Sequence, residues 1–185
     1  MTAPGPDTRP PAPIHTKRLV LRESQARDRP AIIDLFASEE VGTYVGGAQP
    51  REDLERTVAP TPGRRFGFFI VELDTTMIGL ITLDPHTAAH PGHSRPDLGR
   101  TELGYMFLPH AWGHGYATEA CTAALDWFAT TRPGEPVVLT TQVANESARR
   151  LATKLGFDEV ERYHEYGAEQ WFGLWQPPGS AEPTG

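Results

Sequence analysis

Apolar and polar positions along this chain fall into runs whose spacing predicts its elements. "KRLVLRES" alternates about Leu19 and Leu21 and predicts a first strand. Asp28 stands where a helix N-cap belongs, and "RPAIIDLFASEE" sets Ile32, Ile33, Leu35 and Phe36 on one helical face. "GTYVGGAQP" breaks that helix, and "REDLERTVA" predicts a second, shorter one. "FGFFIVEL" and "MIGLITL" predict two strands joined through "DTT" in a hairpin-like connection. A loop rich in Pro, Gly and His, "DPHTAAHPGHSRPDLGR", leads to "TELGYMFL", a strand stopped by Pro109. Ala117, Ala120, Cys121, Ala124, Leu125 and Phe128 then recur at helical spacing and predict a helix from about Tyr116 to Ala129. "PVVLTTQV" reads as a buried strand. "NESARRLATKLGF" reads as a helix capped by Asn145 and ended by Gly156. "DEVERYHEY" and "EQWFGLW" are two final strands. The order is strand, one or two helices, three strands, helix, strand, helix, two strands. It predicts an α/β mixed sheet, not a regular βαβ alternation.

Composition narrows the picture. The chain has 185 residues, suited to one domain with a real core. A proline-rich start (residues 1–13) and a polar end (residues 177–185) are expected to be flexible arms around a single folded body, residues 14–176. The net charge of −7 argues against non-specific nucleic-acid binding, which needs a basic face. No apolar run approaches a membrane span, and no signal peptide is read at the start, so no membrane partner is expected. The single cysteine, Cys121, excludes an intrachain disulfide and suggests a cytoplasmic protein.

The stretch "WGHGYATEA" carries the chemistry. Between a strand ended by Pro109 and a new helix lie Gly113 and Gly115. Helix N-termini expose unpaired N–H groups and partial positive charge, and glycines let a phosphate approach the backbone. The amides around Gly113 to Ala117 could therefore cradle a pyrophosphate. A connector that only needs positive φ would look the same. Two other phosphate motifs fail. A Rossmann fingerprint wants a third glycine where Thr118 stands, and a P-loop wants a Gly-Lys-Ser/Thr that is absent.

One helix and one strand further on, "NESARRLATKLGF" opens a second helix. With both stretches in view, the chain resembles the GNAT acyltransferases, and within them the branch of ribosomal-protein N-terminal (alanine/serine) acetyltransferases. Arg-Leu-x-Leu-Arg matches Arg18 to Arg22, and Glu-x-Gly-Tyr matches Glu102 to Tyr105. Trp-Gly-x-Gly-Tyr-Ala-Thr-Glu-Ala matches Trp112 to Ala120, and the Asn-x-x-Ser/Ala helix ending in Lys-x-Gly-Phe matches Asn145 to Phe157. The likeness spans nearly the whole body. One position departs: the wider family carries Gln or Arg three residues before the first glycine, where this chain has His110.

The resemblance implies a mostly antiparallel central sheet flanked by helices and splayed between the fourth and fifth predicted strands, with acetyl-CoA as co-substrate in the gap and no metal. It places the main chain of Met106, Phe107 and Leu108 along the pantetheine arm. The pyrophosphate falls on Gly113, His114, Gly115, Tyr116 and Ala117, with Thr118 nearby. Asn145 would reach the arm, and Arg150 is a phosphate partner or a solvated helix residue. Direct acetyl transfer to a primary amine needs a base, an oxyanion donor and an acid. Glu102 is the candidate base, or a solvated or ion-paired strand residue. A backbone N–H near Met106 or Phe107 is the candidate oxyanion donor. Ser147 is the candidate acid, or a hydroxyl bonded within its helix, with Tyr105 as runner-up. Tyr44 is a candidate substrate contact.

The acceptor is weighed by proton cost. Deprotonation at pH 7 costs about 1.4 kcal/mol for an α-amine and about 4.6 kcal/mol for a lysine, at roughly 1.36 kcal/mol per unit. A weak base therefore fits the N-terminal α-amine of a protein or peptide better. A small amine such as a polyamine or aminoglycoside, a longer acyl donor, and a non-catalytic acyl-CoA sensor are the alternatives. Either a monomer or a homodimer is compatible. His86, His90 and His93 share a loop that Pro91 and Gly92 keep from being a helix, so a metal site is not expected there. Cys121 is expected as a buried thiol rather than a nucleophile, and Trp171 and Trp175 as core aromatics.

Overall fold

The protein is described from a computed structural model, which gives residues 11–86 and 101–179. Eight strands run β1 (Ile14–His15), β2 (Val20–Arg22), β3 (Phe68–Leu73), β4 (Thr76–Pro85), β5 (Thr101–Phe107), β6 (Val137–Gln142), β7 (Asp158–Glu165) and β8 (Ala168–Trp175). Five helices are α1 (Arg29–Ala37), α2 (Glu39–Gly42), α3 (Arg51–Thr57), α4 (Tyr116–Thr131) and α5 (Glu146–Leu155). The strands form a mixed, mostly antiparallel sheet in the order β1-β2-β3-β4-β5-β6-β8-β7. Its β5–β6 pair is parallel, and among the described residues its register runs Thr101↔Val137 and Glu102↔Val138. The predicted fourth and fifth strands are β5 and β6.

The chain divides into two compact units. The first holds residues 11–83 and Tyr105–Tyr116. Antiparallel pairing carries β1 to β2, β2 to β3 and β3 to β4. The β3–β4 hairpin turns on Asp74 and Thr75, both at positive φ (46° and 67°). That geometry matches the right-handed twist of the strands it joins. Ile32 and Leu35 of α1 pack on Phe68, Ile70, Met77 and Leu80, as the helical and alternating spacings predict.

Beside this core lies a buried ionic knot. Arg22 donates through Nη1 and Nη2 to both carboxylate oxygens of Asp28 (2.7 and 2.8 Å) and through Nε to Glu72 (2.6 Å). Burial opposes ionisation of Asp28, but Arg22 and the Gln25 amide outweigh it and hold the carboxyl below its ordinary range. Asp28 stands at the N-cap position of α1, as the sequence predicts, although its carboxylate accepts from no N–H of that helix. The guanidinium is the stronger claimant, and α1 starts with Pro30 in its first turn, where a missing N–H costs nothing. The run to Glu40 is also two helices, not one. Ser38 leaves the α region and accepts from the Val41 amide to cap α2.

The second unit holds residues 84–86, 101–104 and 117–179. Here β6 pairs β8 and β8 pairs β7, both antiparallel. Ala120, Cys121, Ala124, Leu125 and Phe128 are buried on one face of α4, five of the six positions predicted. Cys121 is fully buried and its thiol is pushed far up by that burial, so it supplies no thiolate. Asn145 caps α5 by accepting from the Ala148 amide (3.1 Å), and Gly156 ends it at φ 90°. Trp171 and Trp175 are buried, and the Trp171 indole donates to Glu159 (2.7 Å).

Candidate active site

The sequence residues assigned to the site fall in four places. Met106 and Phe107 end β5, with Leu108 just beyond. Gly113 to Gly115 form the turn, and Tyr116, Ala117 and Thr118 begin α4. Glu102 lies near the start of β5. Asn145, Ser147 and Arg150 belong to the start of α5. Tyr44 stands apart, exposed in the segment after α2.

The turn is built by backbone conformation. Gly113 and Gly115 have φ of 77° and 78°, a region that side chains with a Cβ resist. A Cβ on Gly113 would meet nothing within 4 Å, and one on Gly115 would meet only Arg18 Nη2 at 3.5 Å. The glycines are thus required by conformation, and the space over them is open enough to admit a ligand. Residues 112–115 are exposed, and the turn leads into the 16-residue α4, whose first amides have no intrahelical acceptor. This geometry suits a pyrophosphate.

Two side chains hold the turn in place. Arg18, which precedes β2, donates through Nη1 to the His114 carbonyl (2.9 Å). Its guanidinium lies over the Tyr116 ring at 4.6 Å, and that ring stacks on His114 with centroids 5.4 Å apart. The Trp112 indole donates to the Phe107 carbonyl (2.8 Å), tying the turn to the end of β5. The sequence reading assigned neither role. Their only trace is that Arg18 and Trp112 are the first residues of two matched motifs.

These bonds refine the strand end. The Leu108 amide donates to the Ile78 carbonyl (2.9 Å), so it is occupied by β4. Strand alternation turns the Met106 backbone groups to the same side, where a Cβ on Gly79 would lie 2.6 Å from the Met106 oxygen. Of the three residues expected to line the pantetheine arm with their main chain, Leu108 and Met106 therefore face β4. Phe107 faces the other edge. Its carbonyl is taken by Trp112, which leaves its amide as the candidate oxyanion donor.

In the second unit Glu102 is half-buried, and its Oε2 lies 3.2 Å from Nδ1 of His86. The His86 ring packs on Phe172 of β8, centroids 5.8 Å apart. Tyr163 is buried on the small core formed with Val138 and Phe172. Its phenol is pushed up first by burial. A Thr140 hydrogen bond counters this, and the charges of Glu165, Glu102 and Glu161 add to the rise. His90 and His93 lie outside the described residues. Ser147 is exposed in the first turn of α5. The Asn145 oxygen is taken by its capping bond, and Arg150 pairs with Glu146 across one turn (3.5 Å).

Comparison with known proteins gives the family. A model of the acetyltransferase (GNAT) domain matches residues 18–158. An uncharacterized N-acetyltransferase of Bacillus subtilis (strain 168), YoaA, is 26% identical over 164 residues, covering 83% of this chain and 86% of its own. A GNAT-family acetyltransferase structure from Bacillus anthracis superposes with a TM-score of 0.72 at 20% identity, over 90% of this chain and 99% of its own. The ribosomal L7/L12 α-N-protein acetyltransferase RimL, bound to coenzyme A, has a TM-score of 0.65 at 14% identity, over 89% of this chain and 98% of its own. Spermidine N-acetyltransferase from Vibrio cholerae, bound to CoA and spermine, has 0.66 at 20% identity, over 88% and 97%. At these identities the structural likeness establishes the fold. The acceptors in those names differ, so the likeness singles out no acceptor and no branch.

Proposed function

This chain belongs to the GNAT acetyltransferase family and is an N-acetyltransferase, and from that premise we propose that it moves the acetyl group of acetyl-CoA directly to the N-terminal α-amine of a protein or peptide. The observation that carries the donor half is the open glycine turn at the head of α4. Amides from Gly113 to Thr118 hold the pyrophosphate, with the helix dipole adding to the attraction. Arg18 keeps the turn in the conformation that aims those amides outward. The Phe107 amide donates to the thioester oxygen as it gains charge. Glu102 takes the acceptor's proton, and the Ser147 hydroxyl returns one to the leaving thiolate. Asn145 serves by fixing the start of α5 rather than by its own oxygen.

The acceptor half follows from proton cost. A half-exposed carboxylate is a weak base, and an α-amine asks less of it than a lysine does. A second reading, a cationic small amine such as a polyamine, is favoured by one observation: Glu102, Glu161 and Glu165 all act on Tyr163. The reading is for a single catalytic domain over residues 14–176 in the cytoplasm.

Calorimetry with acetyl-CoA, using NAD and ATP as controls, tests the donor, with Gly115→Trp as the blocked variant. Selective binding by wild type and none by the variant is the expected result. Well-folded wild type that binds no acetyl-CoA would refute the proposal. An amine panel of N-terminal peptides, spermidine and an aminoglycoside then tests the acceptor, with the largest kcat/KM expected for a peptide.

A further inference from the structure

We propose that His86 is a positioning residue for the transfer: its Nδ1–H holds the Glu102 carboxylate in one orientation while Glu102 takes the acceptor's proton. This rests on the reading of Glu102 as the base.

His86 directly follows β4, while Glu102 is the last residue of β5 paired with β6. The two are brought together at 3.2 Å by the sheet, not by chain proximity. Their environments differ in a useful way. The His86 side chain is 2% exposed and Glu102 is 34% exposed. The imidazole is therefore fixed by packing, against Phe172, while the carboxylate it touches reaches solvent. A rigid buried donor behind a half-exposed acceptor is an arrangement for aiming the acceptor.

The bond needs one proton between Nδ1 and Oε2. A carboxylate has only acceptor atoms, so Nδ1 carries that proton and donates. Oε2 is thereby engaged, and Oε1 is the oxygen that receives the proton from the acceptor. The step is one proton transfer. An N–H bond of the ammonium breaks, an O–H bond forms at Oε1, and the electron pair stays on nitrogen for attack on the acetyl carbon. His86 keeps its own proton throughout. In the same unit, Glu102 acts together with Glu161 and Glu165 of β7 on the Tyr163 phenol. None of those three β7 residues is altered in the variants below.

The test is kcat and KM measured separately, with acetyl-CoA affinity by calorimetry, for wild type, Glu102→Gln, His86→Leu and His86→Asn. Glu102→Gln is expected to lose at least about 100-fold in kcat with acetyl-CoA affinity unchanged. His86→Leu is expected to lose about 10-fold in kcat with acetyl-CoA affinity unchanged, because the carboxylate is no longer aimed. His86→Asn places an amide N–H near the Nδ1 position and should return kcat to within about threefold of wild type. The double variant His86→Leu with Glu102→Gln should be no slower than Glu102→Gln alone. Should His86→Leu fail to fold, His86→Gln, whose amide sits one methylene further out, takes its place with the same loss in kcat expected.

An unchanged kcat in a folded His86→Leu or His86→Gln overturns the inference. So does an Asn variant as slow as Leu, or losses that multiply in the double variant. Full activity in Glu102→Gln overturns the base reading as well. An inactive Glu102→Gln beside a fully active His86→Leu overturns only the role of His86.

Discussion

The turn at Gly113–Gly115 and the pair His86–Glu102 belong to different compact units and are built from different material. The turn is made of main chain. Its defining features are two positive φ angles and a helix start, and its histidine contributes a carbonyl to Arg18. The pair is made of side chains. Its defining feature is one contact between an exposed and a buried group, set by where β4 ends and how β5 registers with β6. A backbone site tolerates side-chain change and fails when conformation changes. A side-chain site behaves the opposite way. The two histidines make the contrast plain: His114 is exposed and stacked at the surface, and His86 is buried and aimed at a carboxylate.

The largest test of that contrast strikes the scaffold of the first unit. Arg22 ends the strand that Arg18 leads into, and the ionic knot anchors that end. Asp28→Ala leaves Arg22 buried beside Glu72 alone, and should lower stability by about 3–5 kcal/mol at pH 7. The sign with pH follows from the lowered carboxyl of Asp28. Its contribution is present above about pH 4 and is lost as pH falls through the lower folded value. Wild type and variant should therefore converge in denaturant melts below that pH.

Next in size is Gly115→Val. A β-branched residue at φ 78° is strained by about 1–3 kcal/mol. Acetyl-CoA Kd, by calorimetry, should rise by about tenfold or more, a loss of at least ~1.4 kcal/mol. The smallest effect is expected for His114→Ala. It keeps the carbonyl that Arg18 binds, and acetyl-CoA Kd should change by less than about threefold. A large loss there would mean that the turn works through its side chain, and the contrast would fail.

The same division explains what could be read in the sequence. Local patterns were legible because local forces make them. The alternation in β3 and β4, the apolar face of α4, and the Asn145 and Gly156 ends of α5 each follow from residues within a few positions. The turn was legible for the same reason. β1, with only Ile14 and His15, is too short to alternate. The N-cap position of Asp28 is legible, but its pairing with Arg22 is not, because the two meet only once β2 and α1 have folded. His86 sat in a loop of three histidines with nothing to single it out. Its partner lies 16 positions away, and only strand register brings the two together. The amide and carbonyl directions at Phe107 likewise depend on the β4 bond to Leu108.

The burial of Cys121 has a practical side. It is the only cysteine in the chain, and its sulfur is sealed inside α4. The proposed reaction releases a free thiol at every turnover. A disulfide-exchange dye added to the folded protein would thus report product alone, with no blank from the enzyme and no mixed disulfide to inactivate it. The same dye should register the protein's own sulfur only when the chain unfolds, so one reagent can follow turnover in native buffer and global opening in denaturant.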